Sequence, residues 1–429
     1  MDQLALQQLG RQPLDWRAKG WPALPPGTTV EQFVADRPSL FTAGFLPPVM
    51  VLRDSAVDAN VATMADFCAT RGMLLAPHGK THMAPQLAAR QLAGGSWGIT
   101  VAAISQARVY RAFGVRRLLL ANELVDPAGV AWVLDELAAD PDFEFFCYVD
   151  STAGVDLIAA ALDGAPGSRP LDVLVEVGPT GARTGCRTVA QAVTVAKAAS
   201  AVPRLRVCGV AGYEGGIGQS GLPDAETLAA VRDFMGLIRD AGQAVVHADL
   251  LGRDDLIASA GGSTYFDVVA DELGSGWTVD RDVTPVLRSG SYLTHDSLLY
   301  AERSPFAERL DGELIAALAV WGTVLSVPEP GLALVGGGRR DFPFDSGMPL
   351  PQVIRRAADG TTRPATGLTV TALNDQHAYL RLDDDADDVR VGDWIRFGIS
   401  HPCTAFDKWS HIAVVDDEDR VVDCVRTFF

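Results

Sequence analysis

Between residues 48 and 305 the chain repeats one rhythm, a short apolar run followed by a longer segment rich in alanine, leucine and charge. The runs are "VMVLRD", "GMLLAPHGK", "SWGITV", "RRLLLANE", "FEFFCYVD", "LDVLVEVG", "RVCGVAGYEG", "AVVHADL" and "TYFDVVA". Stretches between them, such as "HMAPQLAARQLAGG" and "VAQAVTVAKAASAV", carry their apolar residues at helical spacing. Near-continuous apolar runs suit strands buried on both faces, and parallel strands need crossover helices to join them. The rhythm therefore restricts the chain to the α/β class. Roughly eight such units suggest a closed (β/α)8 TIM-type barrel, with an open doubly wound sheet as the alternative that counting leaves.

The texture changes near residue 306. "IAALAVWGTVLSVPEPGLALVGGG", "TGLTVTALNDQHAYLRLDDD", "VRVGDWIRFGIS" and "HIAVVDDEDRVVDCVRTFF" are β-branched runs broken by glycine, proline and acids. This is the pattern of an antiparallel sheet. The expected layout is a barrel over residues 46–305 and a second, mainly antiparallel β-domain over residues 306–429. The acidic run "LDDDADDVRVGD" lacks the ligand alternation and terminal glutamate of a calcium loop and reads as a solvated turn.

The 429 residues, 48% of them hydrophobic, suffice for a large core. Thirty-six basic against 54 acidic side chains leave a formal charge of −18, which repels a nucleic-acid backbone and points to a small-molecule partner. Six cysteines without regular spacing read as reduced thiols. The first residues resemble neither a secretory signal nor an anchor, and no run is long enough to cross a bilayer, so a cytoplasmic protein is expected.

Chemistry in a barrel gathers where strands end. Lys80 stands at such an end between His78 and His82, and Arg183, Tyr213 and His247 are expected at others. A strand-end lysine ordinarily snorkels to solvent or pairs with an acid; the sharper reading is an amine used for covalent chemistry. "SAGGST" (Gly261, Gly262, Ser263, Thr264) and "LRSGSYLTHD" (Gly290, Ser291, Tyr292) could offer backbone N–H groups to a phosphate, though either could be an ordinary turn. No GxGxxG follows the first barrel strand and no GxxxxGK[ST] occurs, so a phosphorylated cofactor without a nucleotide fits better. His401 and Cys403, two apart, would point to one side of an extended segment. They could form an open zinc site or serve only in loop packing.

"PHGKTHM", "EVGPTGARTG", "AGYEGG", "GGST", "LRSGSY" and "HPC" occur in that order. Together they resemble the fungal-type D-serine dehydratase and D-threonine aldolase family, relatives of the alanine racemase barrel. The resemblance runs from about residue 45 to residue 425, and "HPCTAFDKW" is most similar to the bacterial amino-acid deaminase branch called cryptic D-serine deaminase. It implies a fold-type III pyridoxal 5'-phosphate enzyme in which Lys80, beside His78, holds the cofactor as an internal aldimine. His401 and Cys403 would bind catalytic zinc or another divalent ion such as Mn2+. Arg183 would lie near the phenolic oxygen, Tyr213 near the pyridine nitrogen, and Gly262, Ser263, Thr264, Gly290, Ser291 and Tyr292 around the phosphate. Residues 1–45 would pack with the β-domain, and the protein would be a homodimer.

The activity so implied is dehydration of D-serine or a related β-hydroxy-D-amino acid to a 2-oxo acid and ammonia. Retro-aldol cleavage to glycine and an aldehyde is the first alternative. A non-catalytic pyridoxal-phosphate homeostasis protein is the second, but such proteins resemble the barrel alone and lack a metal pair. Two departures bear on the substrate pocket: Gly216 stands in "YEGG" where relatives often have histidine, and "NDQHAYL" keeps His377 in an altered segment.

Overall fold

The computed structural model describes residues 1–165, 167–218, 221–384 and 388–429. Residues 385–387, in the middle of the acidic run, lie outside the described residues. Strand β1 (Val49–Arg53) precedes eight parallel strands, β2 (Leu74–Leu75), β3 (Ile99–Val101), β4 (Arg117–Glu123), β5 (Glu144–Val149), β6 (Leu171–Val177), β7 (Leu205–Gly212), β8 (Asp255–Ala260) and β9 (Asp282–Leu287). Their order is β2-β9-β8-β7-β6-β5-β4-β3. A parallel bridge between His78 and Thr100, with the Trp97 N–H donated to the Leu75 carbonyl, joins the two ends of that order. The fold is the barrel of the α/β class.

β6 shows why these runs are strands: all seven of its residues are buried, as a strand covered on both faces requires. Leu119, Phe146, Tyr148, Leu174, Cys208, Ala211, Ile257 and Val286 fill the interior as a separate apolar cluster. The outer helices begin at side-chain caps. Asp126 accepts the Ala128 N–H, Ser151 the Gly154 N–H and Thr188 the Gln191 N–H.

Three runs read as barrel strands behave otherwise. "AVVHADL" is the end of helix Ala225–His247, whose buried Phe234, Ile238, Ala241 and Val245 recur at helical spacing, and His247 is exposed. "TYFDVVA" is mostly the helix Phe266–Leu273, with Phe266, Val269, Ala270 and Leu273 buried along one face. β8 and β9 supply the strands in their place. "VMVLRD" contains β1, which joins the second sheet and not the barrel.

That sheet is antiparallel apart from one pairing. Its strands are β10 (Leu318–Glu329), β11 (Leu332–Gly336), β12 (Leu350–Arg355), β13 (Thr362–Pro364), β14 (Leu368–Leu373), β15 (His377–Leu382), β16 (Trp394–Gly398), β17 (His411–Val415) and β18 (Val421–Arg426). β1 pairs antiparallel with β10 and parallel with β17. Leu14, Trp21, Leu40 and Phe45 of the N-terminal segment share one apolar cluster with Val49, Trp321, Ala413 and Val421 of this sheet. Among the described residues no helix is long and apolar enough to cross a membrane.

Candidate active site

The 3-10 turn Gly79–Thr81 follows β2 and lifts Lys80 into the mouth of the barrel. The short helix Pro402–Phe406 of the second domain meets this turn, and Cys403 Sγ and Thr81 Oγ1 are hydrogen-bonded at 3.4 Å. A cavity of about 510 Å3 lies between them, lined by His78, Lys80, Arg183, Tyr213, Gly262, Ser263, Gly290, Ser291, His401 and Cys403 among others. The structure thus brings together ten of the residues singled out from the sequence. Two do not reach the cavity: Tyr292 is turned into the core, where its hydroxyl accepts from Gln91 Nε2 at 3.2 Å, and Thr264 lies beyond the rim with its carbonyl bound by Arg309. His377 sits exposed on β15, opposite Gly336, and does not line the cavity. Gly216 does, and a Cβ there would meet only Ala182, at 3.9 Å.

The charges are arranged around Lys80. Burial draws its pKa below the lysine range; the Cys403 thiolate opposes this, and Arg183 and Arg288 reinforce it. His78 is held well below the histidine range by burial and then by Lys80, Arg288 and Arg183, which keeps its ring neutral, and its Nδ1 has no hydrogen-bond partner. Burial works against the His401 charge, but the hydrogen bonds and charges of Cys403 and Asp345 lift its pKa to about 9. Burial likewise resists ionisation of Cys403, yet His401, Thr81 and Lys80 together bring the thiol down. By contrast, burial pushes Cys68 and Cys186 up to about 12. Cys403 is the metal-competent thiol of the set.

Several groups here were invisible to sequence reasoning. Asp345 Oδ2 stands 2.6 Å from His401 Nδ1, and its other oxygen accepts the Thr404 hydroxyl at 2.7 Å. A carboxylate on Nδ1 orients a ring and leaves Nε2 for a metal. Arg288, 2% exposed, donates to Ser259 Oγ at 2.8 Å and to the Gly212 carbonyl at 2.6 Å, while its Nε lacks a partner. Glu214, fully buried, accepts the Gly261 N–H at 3.2 Å and the Gly262 N–H at 2.5 Å. Those two donors were expected to face an anion, so the "SAGGST" turn has only its later positions to offer. Arg288 and Glu214 are themselves members of "RSGSY" and "YEGG", and that membership was the one available signal.

Two glycines form a close cradle. A Cβ on Gly290 would stand 2.6 Å from the His78 carbonyl oxygen, and one on Gly262 3.2 Å from the Tyr213 ring. Arg183 lies over that ring, 4.9 Å from its centroid. A larger hollow, about 670 Å3, opens at the opposite end of the barrel, where Arg117 pairs with Glu144 and Arg206 with Asp172. Its charges satisfy one another, and catalytic groups of barrels sit at the other face.

Comparison with known proteins agrees with this architecture. Residues 53–250 match the "Alanine racemase, N-terminal domain" family and residues 317–415 the "Putative serine dehydratase domain" family. The D-threonine aldolase of Arthrobacter sp is 28% identical over 380 residues, covering 86% of this chain and 89% of that protein. The crystal structure of D-threonine aldolase from Filomicrobium marinum superposes with a TM-score of 0.74 at 25% identity, covering 89% of this chain and 95% of that one. D-threo-3-hydroxyaspartate dehydratase from Delftia sp. HT23 gives 0.73 at 22% identity over 91% and 99% of the two chains. Variants of that dehydratase replacing a histidine and, two residues on, a cysteine have also been solved, the latter in a metal-free form.

Proposed function

We propose that the chain, whose barrel matches an alanine racemase-type domain and whose second domain matches a serine dehydratase-type domain, is a pyridoxal-phosphate- and metal-dependent dehydratase of D-serine or a related β-hydroxy-D-amino acid, releasing a 2-oxo acid and ammonia. The observation that carries this reading is the meeting of Lys80, from the barrel, with His401 and Cys403, from the second domain, across one cavity.

The residues present fit the cofactor. His78 Nδ1 and Arg288 Nε are buried and unpartnered, Lys80, Arg183 and Arg288 supply positive charge, and Gly262 and Gly290 keep the backbone clear where a Cβ would intrude. Once bound, pyridoxal phosphate supplies the electron sink that makes the α-hydrogen of an amino acid acidic. Lys80 would tether it, because burial that lowers its pKa favours the free amine, the nucleophilic form. After release, Lys80 Nζ would take the proton from the substrate α-carbon. Arg183 and Tyr213 would engage the cofactor's polar edge, while Ser263, Gly290 and Ser291 would border its phosphate. His401, oriented by Asp345, and Cys403 would hold zinc or a similar divalent ion such as Mn2+, a Lewis acid able to polarise the β C–O bond. The spacing of the histidine and cysteine replaced in the Delftia variants, and the metal-free state of the cysteine variant, support this pair.

The aldolases of Arthrobacter and Filomicrobium favour the second reading, cleavage to glycine and an aldehyde. Both enantiomers of serine, threonine, allo-threonine, phenylserine and 3-hydroxyaspartate, offered to the protein loaded with cofactor and metal, distinguish the two by mass spectrometry of the products. A 2-oxo acid and ammonia from D-substrates are expected. Glycine plus aldehyde would replace dehydratase by aldolase, and turnover of L-enantiomers alone would overturn the stereochemistry. A cytoplasmic homodimer is part of the proposal, supported by six free cysteines and by exposed Phe344, Met348 and Leu350, close in sequence to Asp345.

A further inference from the structure

Three carboxylates that the reading above gives no role converge at one place. Glu123 ends β4, Asp150 directly follows β5 and Glu176 is the penultimate residue of β6, so adjacent parallel strands deliver them to one place at the C-terminal end of the barrel. One carboxylate oxygen from each lies within 4.8 Å of the other two, and among the described residues no other set of metal-ligating side chains gathers so closely. Glu176 also lines the main cavity.

The partners of the buried acids single this group out. Asp172 is answered by Arg206, Asp267 by Arg309, Asp341 by Lys19 and Asp393 by Arg356. Glu214 and Asp296 are answered by backbone N–H groups. Glu176 is 7% exposed and its Oε2 is buried with no donor from another residue, Glu123 Oε1 is in the same state, and the two carboxyl groups have only each other; burial, and then this pairing, raise the Glu123 pKa to about 8. No lysine or arginine forms an ion pair with any of the three acids among the described residues. Unanswered buried carboxylate oxygens are costly, and a positive ion between them removes the cost.

We propose that Glu123, Asp150 and Glu176 form a second cation site, separate from His401 and Cys403, that takes a hard divalent ion such as Ca2+. An all-oxygen ligand set suits such an ion, whereas imidazole with thiolate suits a softer one. Asp150 also accepts the Gly185 N–H at 3.0 Å, and its carbonyl accepts the Cys186 thiol at 3.2 Å. The ion therefore ties three strand ends to the loop that carries Arg183, and it sets the position of that guanidinium. The site does not depend on which β-hydroxy amino acid is the substrate.

Ca2+ titrated calorimetrically into the full chain, with cofactor and the softer metal already bound, tests this. About one equivalent should bind and raise the melting temperature. Glu123→Gln and Glu176→Gln should each lower Ca2+ affinity at least tenfold, while the His401→Ala, Cys403→Ala double variant retains it. Asp150→Asn, at a half-buried position, gives the same reading if the other variants do not fold. Absence of Ca2+ uptake, or uptake that the carboxylate variants leave unchanged, would mean that the acids hold only a shared proton and would overturn the site.

Discussion

At the scale of single residues, Lys80 and His82 show how one short motif serves two purposes. Lys80 faces the cavity, and Lys80→Ala should abolish the visible absorption of bound pyridoxal phosphate and lower turnover by at least ~10²–10⁴-fold, the usual worth of a positioned proton acceptor. A borohydride-reducible adduct surviving in that variant would assign the tether elsewhere. His82 points the other way: its Nδ1 accepts the Ala84 N–H at 3.0 Å and its Nε2 faces Gln91 Oε1 at 3.2 Å, in a fully buried place. Burial depresses its pKa from 6.5 to about 4. Between those values the unfolded chain binds the extra proton and the folded chain does not, so stability falls as pH drops through that window. The loss attributable to His82 is about 3 kcal/mol. His295 and His411, also lowered to about 4, act in the same direction. Urea unfolding at pH 7 and pH 5 should show the decline, and His82→Asn, whose amide can still accept the Ala84 N–H, should flatten part of it. An unchanged slope in that variant would remove His82 from the account.

Among the elements, the segment after β9 is the most tightly constrained. Gly290 has an ordinary negative φ of −121°, so its requirement is steric: the missing Cβ leaves room for the His78 carbonyl. Gly290→Ala should force the β2 and β9 ends apart, costing about 1–3 kcal/mol in denaturant unfolding and weakening cofactor retention. Full retention with unchanged stability would show that the two ends separate freely. The helix Pro402–Phe406 matters through what precedes it. Pro402 occupies its first position, where a missing N–H costs nothing, and His401 keeps an extended backbone that lets its ring reach Asp345.

For the molecule as a whole, the two domains are predicted to divide the work. Removing the metal with a chelator, or replacing His401 or Cys403 by alanine, should abolish turnover while the cofactor's spectrum persists, since the pair belongs to the second domain. Full activity in a preparation shown by elemental analysis to be metal-free would contradict this, and loss of cofactor would reassign the pair to structure. Much of this arrangement is legible in the chain itself. Alternating apolar runs and helical segments dictate parallel strands under helices, because both periods are local, and "PHGKTH" and "HPC" mark reactive groups by residue type alone. Where a local signal had two solutions, packing chose: "AVVHADL" continues the apolar stripe begun by Phe234 and Ile238 and is helical, and β1 pairs with β10 and β17 because those strands offer it partners on both sides. The site's assembly was decided entirely at long range. Asp345 meets His401 across 56 positions and Cys403 meets Thr81 across 322, distances at which no sequence period operates; the folding of the second domain makes the first pair, and the docking of that domain on the barrel's open end makes the other.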